Sequence, residues 1–414
     1  MTYLTEFRLN WRSVLATFIG ISTGSALSHY TMSLFAPELI KEFGWSKAQF
    51  ALVGSLPFVT MLLTPFMGRF ADRVGARIAA IVGFVSMSLG FFGLSAMTGN
   101  IYEFFAIWLV QHIFGVLSTS LVFSRIIVER FDKARGTALS LLMMGPPITG
   151  AVAAPLLGML ITDYGWRSAL VALGIVSALG GVTFTVMLGR RSRSGKAGAE
   201  PKPVPPKLSR EELSTLVKNR TFLLLVGGMF LINVPQVFAA SQIKLIVLAN
   251  GVPDTLATWM VSLYAVGVIM GRLLFGLALD RVSAHILALF GLSLPAIGYV
   301  ILAAPISLVW LLAFAVLIIG IAQGAEGDLA SYMISRHFDL KNYSLILGFV
   351  KAGLDGGGAL GAVILSYTLA VSDSYSPFLL LVAVTTLLGA FSFFMTGPDR
   401  SRSKPVIPLA TEAV

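Results

Sequence analysis

Twelve stretches of mostly apolar residues decide what this chain can fold into. Each is close to the roughly 20 residues that a helix needs to cross a hydrocarbon core about 30 Å thick. They run over 14–38, 48–68, 78–97, 102–127, 137–161, 168–189, 221–249, 255–276, 286–303, 308–334, 343–371 and 377–396. In lipid every backbone polar group needs an internal partner, so such stretches become helices. Almost no length remains for a separate soluble domain. Of the 414 residues, 56% are hydrophobic and 12% charged, against about 25% charged in soluble domains. Half the usual charge cannot cover a soluble surface of this size. That excludes a cytosolic enzyme, a nucleic-acid binder and a disordered chain. The first stretch is too long for a cleavable signal, and it lacks a small-residue cleavage site.

Orientation follows from the basic residues. An even number of spans leaves both ends on one side. With both ends in the cytoplasm, the cytoplasmic segments hold 23 of the 30 Lys and Arg residues. The outer loops hold Lys41, Lys47 and Arg167, and the spans hold Arg125, Lys244, Arg272 and Lys351. This is a strong positive-inside bias, so the net charge of +10 reports topology rather than nucleic acid. The expected location is the cell membrane, multi-pass, with both termini cytoplasmic; in a Gram-negative source it is the inner membrane.

The two halves of the chain repeat. Gly68-Arg-Phe-Ala-Asp72-Arg73-Val74 returns as Gly276-Leu-Ala-Leu-Asp280-Arg281-Val282, at an offset of 208 residues. Phe131-Asp132 returns as Phe338-Asp339, and Gly150 as Gly357, at an offset of 207. Parallel duplication of a six-span unit marks one transporter architecture. The sequence therefore divides into a six-helix bundle over 1–189, a basic proline-containing linker over 190–220, a second bundle over 221–396 and a tail over 397–414. Ser209 and Glu212 have capping-box spacing for a short surface helix within that linker.

The segment GRFADRVGAR, residues 68–77, resembles the cytoplasmic loop signature of the major facilitator superfamily, and the twelve spans and half-chain repeat resemble it too. Two further segments are similar to the oxalate/formate antiporter and monocarboxylate-transporter-like branch: FAPELIKEFGWSKAQ at 35–49 and GAEGDLASYMISRHF at 324–338. The resemblance implies an all-α integral membrane protein with two pseudo-symmetric six-helix bundles. It also implies a carrier of small organic anions that is a monomer. In the signature, glycine permits close helix approach, and Asp72 can accept hydrogen bonds from a neighbouring helix N-terminus. Gly68, Asp72, Arg73, Gly276, Asp280 and Arg281 are thus expected to form conformational latches, with Arg73 and Arg77 also facing anionic membrane lipid.

A charge inside a span is costly and marks a site by default. Spans 3, 6, 9 and 12 carry no interior charge, so spans 1, 4, 7, 8, 10 and 11 are expected to line a polar cavity. At about 1.5 Å per residue, Arg272 lies roughly 12 Å, Lys351 roughly 14 Å and Glu326 roughly 15 Å from the cytoplasmic loops. His29 and Tyr30 fall at mid-span on span 1. GRLLFG, 271–276, resembles the arginine segment of span 8 in the carboxylate-transporting branch. Lys351 in GFVKAGLD resembles the span 11 lysine of the oxalate/formate carriers. Arginine offers a planar fork to a carboxylate, lysine a point charge. Substrate contact is expected at Arg272, Lys351, His29 and Tyr30. The other reading pairs the two cations with acids, Lys351 with Asp355 one turn away.

Glu326, Asp328 and Asp355 are candidates for proton coupling or for charge pairs. Glu326 and Asp328 point about 200° apart around a helix and cannot face one partner. The branch's monocarboxylate members carry an acid one turn before the span 8 arginine; here that position is Val268. Gln111 stands where many superfamily members have an arginine, next to His112. Arg125 and Lys244 are expected to snorkel or pair near the membrane surface. The glycines of spans 5 and 11 are expected at close helix contacts or hinges. Cysteine is absent and the four histidines are isolated, so no metal and no cofactor is expected. The expected function is secondary transport of a small organic anion, a carboxylate, with protons or a counter-anion. Alternatives are an exporter of another solute or drug, and a membrane sensor that binds without moving its ligand.

Overall fold

A computed structural model describes residues 3–131, 134–189, 216–279, 281–338 and 343–398. Residues 190–215 of the expected linker lie outside the described residues, as do Ser209, Glu212, Asp132, Asp280, Asp339 and most of the tail. Among the described residues the secondary structure is entirely helical. Ten helices among the described residues are long and apolar enough to cross a membrane. One of them, Thr137–Leu188, is 52 residues long and breaks at Gly165, whose φ of 82° suits only glycine, so it makes spans 5 and 6. Span 1 completes the twelve. It is more polar than the others and consists of Tyr3–Thr23 and Ser25–Phe43.

Several spans are broken where the sequence changes character. Span 1 breaks at Gly24, where an added Cβ would meet Ser118 Oγ at 2.6 Å. The freed N–H of Ser25 donates to that hydroxyl at 3.0 Å. Span 4 runs Ile101–Gly115, tightens into a 3₁₀ turn at Val116–Ser118, and resumes at Ser120–Arg130. Span 7 contains a π turn at Phe238–Gln242 between Arg220–Asn233 and Ile243–Ala249. Such irregular turns inside membrane helices are tolerated where protein or a cavity satisfies the backbone.

The remaining spans are Lys47–Ala51 continued by Pro57–Val74 (span 2), Ala76–Ala96 (3), Asp254–Leu279 (8), Ala284–Ala303 (9), Val309–His337 (10), Tyr343–Ser372 (11) and Ser376–Phe394 (12). Span 1 packs on span 5 as span 7 packs on span 11. The repeated glycines sit at these two contacts. A Cβ on Gly150 would lie 2.5 Å from the Tyr30 ring, and one on Gly357 would lie 2.1 Å from the Phe230 carbonyl. The sequence repeat is therefore a repeat of helix packing. Spans 3, 6, 9 and 12 present apolar stripes outward, such as Val85, Leu179, Phe290 and Leu388.

The apolar cores define the shape. At the end of spans 1 and 2 where they join, one core includes residues of both halves: Phe35, Phe50 and Trp108 with Phe238, Tyr264 and Phe378. At the opposite end the core splits. Phe84, Phe123 and Leu142 belong to the first half, and Leu225, Leu292 and Met333 to the second. The halves are thus joined at one end and parted at the end carrying the Gly68–Arg77 loop.

The latch residues depart from expectation. Asp72 does not accept from a helix N-terminus; it pairs with Arg125, which also pairs with Glu129 at 3.0 Å. The acceptor at a helix N-terminus is instead the buried Glu6, whose Oε2 takes the Ala134 N–H at 2.8 Å at the start of span 5. Gly68 and Gly276 are not points of close approach. A Cβ on Gly68 would meet only Leu121, at 4.0 Å, and one on Gly276 would meet nothing within 4 Å.

Candidate functional site

A cavity of about 470 Å³ lies between the halves where the shared core ends. The first half contributes His29 and Tyr30, brought there by the break at Gly24, and the second contributes Gln236, Ser241, Lys351 and Asp355. Lys351 is exposed within it and Asp355 is half-buried, one turn further along the same helix. No direct ion pair joins the two among the described residues. The lining comes from spans 1, 2, 4, 5, 7 and 11. Spans 8 and 10, expected in the lining, are absent from it, and spans 2 and 5 take their place. Pro146 in span 5 and residues of the irregular turns in spans 4 and 7, such as Val116, Ser118 and Ser241, are among the lining residues.

The first-half wall is neutral and aromatic. His112 stacks on Trp108 at 4.3 Å between ring centroids, and its Nδ1 faces the Trp108 carbonyl at 2.9 Å. That hydrogen bond places the proton on Nδ1 and leaves Nε2 as the free nitrogen. The His29 ring meets Tyr30 edge-on at 4.9 Å. Gln111 does not join the cavity. It is buried against span 3 and donates to the Met87 carbonyl at 3.0 Å.

Arg272 is half-buried and is not among the residues lining this cavity. Its Nε is buried without a hydrogen-bond partner. Of the two expected cations, Lys351 lines this cavity and Arg272 is not among its lining residues. Glu326 is 5% exposed inside the second half and accepts from Gln323 and Asn233. It forms no ion pair with Arg272 or Lys351 among the described residues. Asp328 is exposed on another face of span 10.

Lys244 does not snorkel. Its side chain is 2% exposed and its Nζ lies 2.8 Å from Asp254 at the start of span 8. At the joined end, Glu42 binds Trp166 Nε1 and Arg167, which hold its carboxyl below the ordinary carboxylate range. Sequence reasoning missed Trp108, Ser118, Gln236 and Ser241 as cavity residues. The available signal was polar residues clustered inside apolar spans, at Ser118-Thr-Ser and at Gln236 to Gln242.

The description of the Major Facilitator Superfamily matches residues 16–243 and 237–412. The chain belongs to the major facilitator superfamily. It is similar to human monocarboxylate transporter 14, 31% identical over 170 residues, which is 40% of this chain and 32% of that relative. It is also similar to monocarboxylate transporter 4 of Rattus norvegicus, 29% identical over 265 residues, 61% of this chain and 54% of that relative. The chain thus spans about a third to about half of the length of these two relatives. The crystal structure of the nucleoside transporter NupG superposes with a TM-score of 0.75 over 94% of this chain and 98% of that one, at 13% identity. That likeness shows the fold alone.

Proposed function

We propose that this chain is a secondary transporter that moves a small organic anion, a carboxylate, by alternating access to the central cavity. The observation that carries the reading is Lys351, an exposed ammonium in a cavity between two halves that are joined at one end only. A cation at this depth is costly alone. A carboxylate load offsets part of that cost and gains charge-assisted hydrogen bonds. The resemblance to proteins named monocarboxylate transporters supports the same substrate class.

Residues 1–189 and 221–396 are the two bodies that rock. The basic loops favour the parted end as cytoplasmic, so the conformation described is open to the inside. His29 and Tyr30 bind the body of the load, and Lys351 its carboxylate. The ion pair of Asp72 with Arg125, at the parted end, changes as the halves close.

Uptake into proteoliposomes against a carboxylate panel, with and without a pH gradient, tests the reading. Saturable carboxylate flux supports it. Flux of cationic compounds alone points to an exporter of another class, and ligand binding without flux to a sensor.

A further inference from the structure

The two halves give the central cavity unlike walls. The first half supplies four ring side chains: His29 and Tyr30 from span 1, and Trp108 and His112 from span 4. They are held against one another. His29 meets Tyr30 edge-on at 4.9 Å, and Trp108 backs His112 at 4.3 Å. Tyr30 is held close against span 5 at Gly150, where an added Cβ would lie 2.5 Å from its ring. Trp108 is 5% exposed and belongs to the shared core, so this wall is built before a load arrives. The second half supplies no ring among the described lining residues. It supplies Lys351, Asp355, Gln236 and Ser241.

Size and charge narrow what fits between these walls. The cavity holds about 470 Å³, within the range of about 300–1,000 Å³ that takes drug-sized ligands. A water occupies about 30 Å³ of the liquid, so formate or oxalate would leave most of this space to water. Among the described lining residues Lys351 is the one Lys or Arg, and Asp355 shares its wall. One carboxylate finds its cation there. A second carboxylate would meet Asp355 and no second ammonium or guanidinium.

We propose that the load is an aromatic monocarboxylate, seated with its ring on the first-half wall of His29, Tyr30 and His112 and its carboxylate toward Lys351. The inference rests on the carboxylate reading above and narrows it from small organic anions in general. A flat ring gains from stacked or edge-on contact with other rings, and its apolar area leaves water. The ring wall is already in place, so little ordering is needed on binding. Ring and carboxylate engage opposite halves, so the load itself bridges them. Short aliphatic acids lack the ring contact. Oxalate lacks it too and brings a second charge.

Calorimetry on the purified full chain in detergent tests this with acetate, oxalate, benzoate, cyclohexanecarboxylate and benzamide. Benzoate should bind roughly tenfold to a hundredfold more tightly than acetate, the range for burying a ring. Oxalate should bind no more tightly than acetate. Benzoate should exceed cyclohexanecarboxylate by about two- to tenfold, the range for aromatic pairing. His112→Leu removes a ring and keeps the wall apolar; it should reduce that preference and weaken benzoate more than acetate. His112→Phe, which restores a ring, should retain the preference. Lys351→Ala should weaken benzoate far more than the uncharged benzamide. If acetate, oxalate and benzoate bind alike and all weaken with Lys351→Ala, the ring proposal is wrong and the carboxylate reading stands. If benzamide binds as tightly as benzoate and Lys351→Ala affects neither, the carboxylate reading is wrong and takes this proposal with it, although a ring seat exists.

Discussion

Lys47 of the first half and Asp373 of the second meet across the joined end, with Nζ 3.4 Å from Oδ1. Asp373 holds this position with a φ of 47°, which non-glycine residues seldom adopt. Both side chains are exposed, at 39% and 83%, so the pair is worth about 0.2–1 kcal/mol. That is too little to matter for folding, but it acts on one conformation only. Lys47→Ala should leave thermal stability nearly unchanged. It should shift the population away from the conformation described here by about 1.5- to 5-fold. Labels placed across the joined end would measure this, and the effect should fade at high salt.

The glycines of span 11 are not equivalent. A Cβ on Gly357 would lie 2.1 Å from the Phe230 carbonyl, and one on Gly361 would lie 1.7 Å from the Val234 carbonyl. Backbone cannot move aside as a flexible side chain can. At Gly356 the nearest atoms are 3.5 Å away, and at Gly348 there are none within 4 Å. Gly357→Ala and Gly361→Ala should each cost about 1–3 kcal/mol through overpacking. Gly348→Ala should be neutral or stabilising in its exposed helix. Thermal unfolding in detergent would rank them, and equal losses at all positions would contradict the packing described.

How much of this was legible beforehand follows from what each signal depends on. Span number, the half-chain repeat and the lipid-facing stripes of spans 3, 6, 9 and 12 depend on composition averaged over many residues, which sequence reports well. Lys351, His29 and Tyr30 were readable because mid-span polar residues are rare in lipid. The position of Arg272 was not readable. Depth along a helix follows from counting residues, but rotation about the axis depends on breaks such as Gly24 and the π turn at Phe238–Gln242. Spans 2 and 5 contribute to the cavity lining and spans 8 and 10 do not, a matter of rotation that residue counting leaves open. Asp72 was assigned a backbone partner because the distant Arg125 lies on another span, and a single sequence does not show such a meeting.

Lys351 and Asp355 share one wall of the cavity without a direct ion pair. Removing the lysine therefore breaks no structural bridge, and its effect reports on the load. Lys351→Ala should weaken carboxylate binding roughly tenfold to a hundredfold, the range for a lost charged hydrogen bond. Lys351→Arg should retain part of it. Asp355→Asn should leave binding in place or strengthen it, because a negative charge beside the load is removed. Binding measured by calorimetry on folded protein decides. If Lys351→Ala with Asp355→Ala restores near-normal affinity, Lys351 is a partner of Asp355 and not of the load.

Lys244 and Asp254 form an unequal pair. Nζ and Oδ1 lie 2.8 Å apart, with the lysine side chain 2% exposed and the aspartate 54% exposed. Removing one member leaves the other in whatever medium surrounds it. Asp254 without Lys244 remains partly in water and keeps its charge at little cost. Lys244 without Asp254 is a buried ammonium with no counter-charge, at a loss of about 3–5 kcal/mol. Asp254→Asn should therefore destabilise the protein far more than Lys244→Met, which also fills the space with an apolar chain of similar length. The double change should recover most of the loss, since it removes the stranded charge. Melting temperatures of the two single variants and the double variant make a complete cycle. Equal losses for the two single changes would mean that Lys244 reaches solvent, contrary to its burial here.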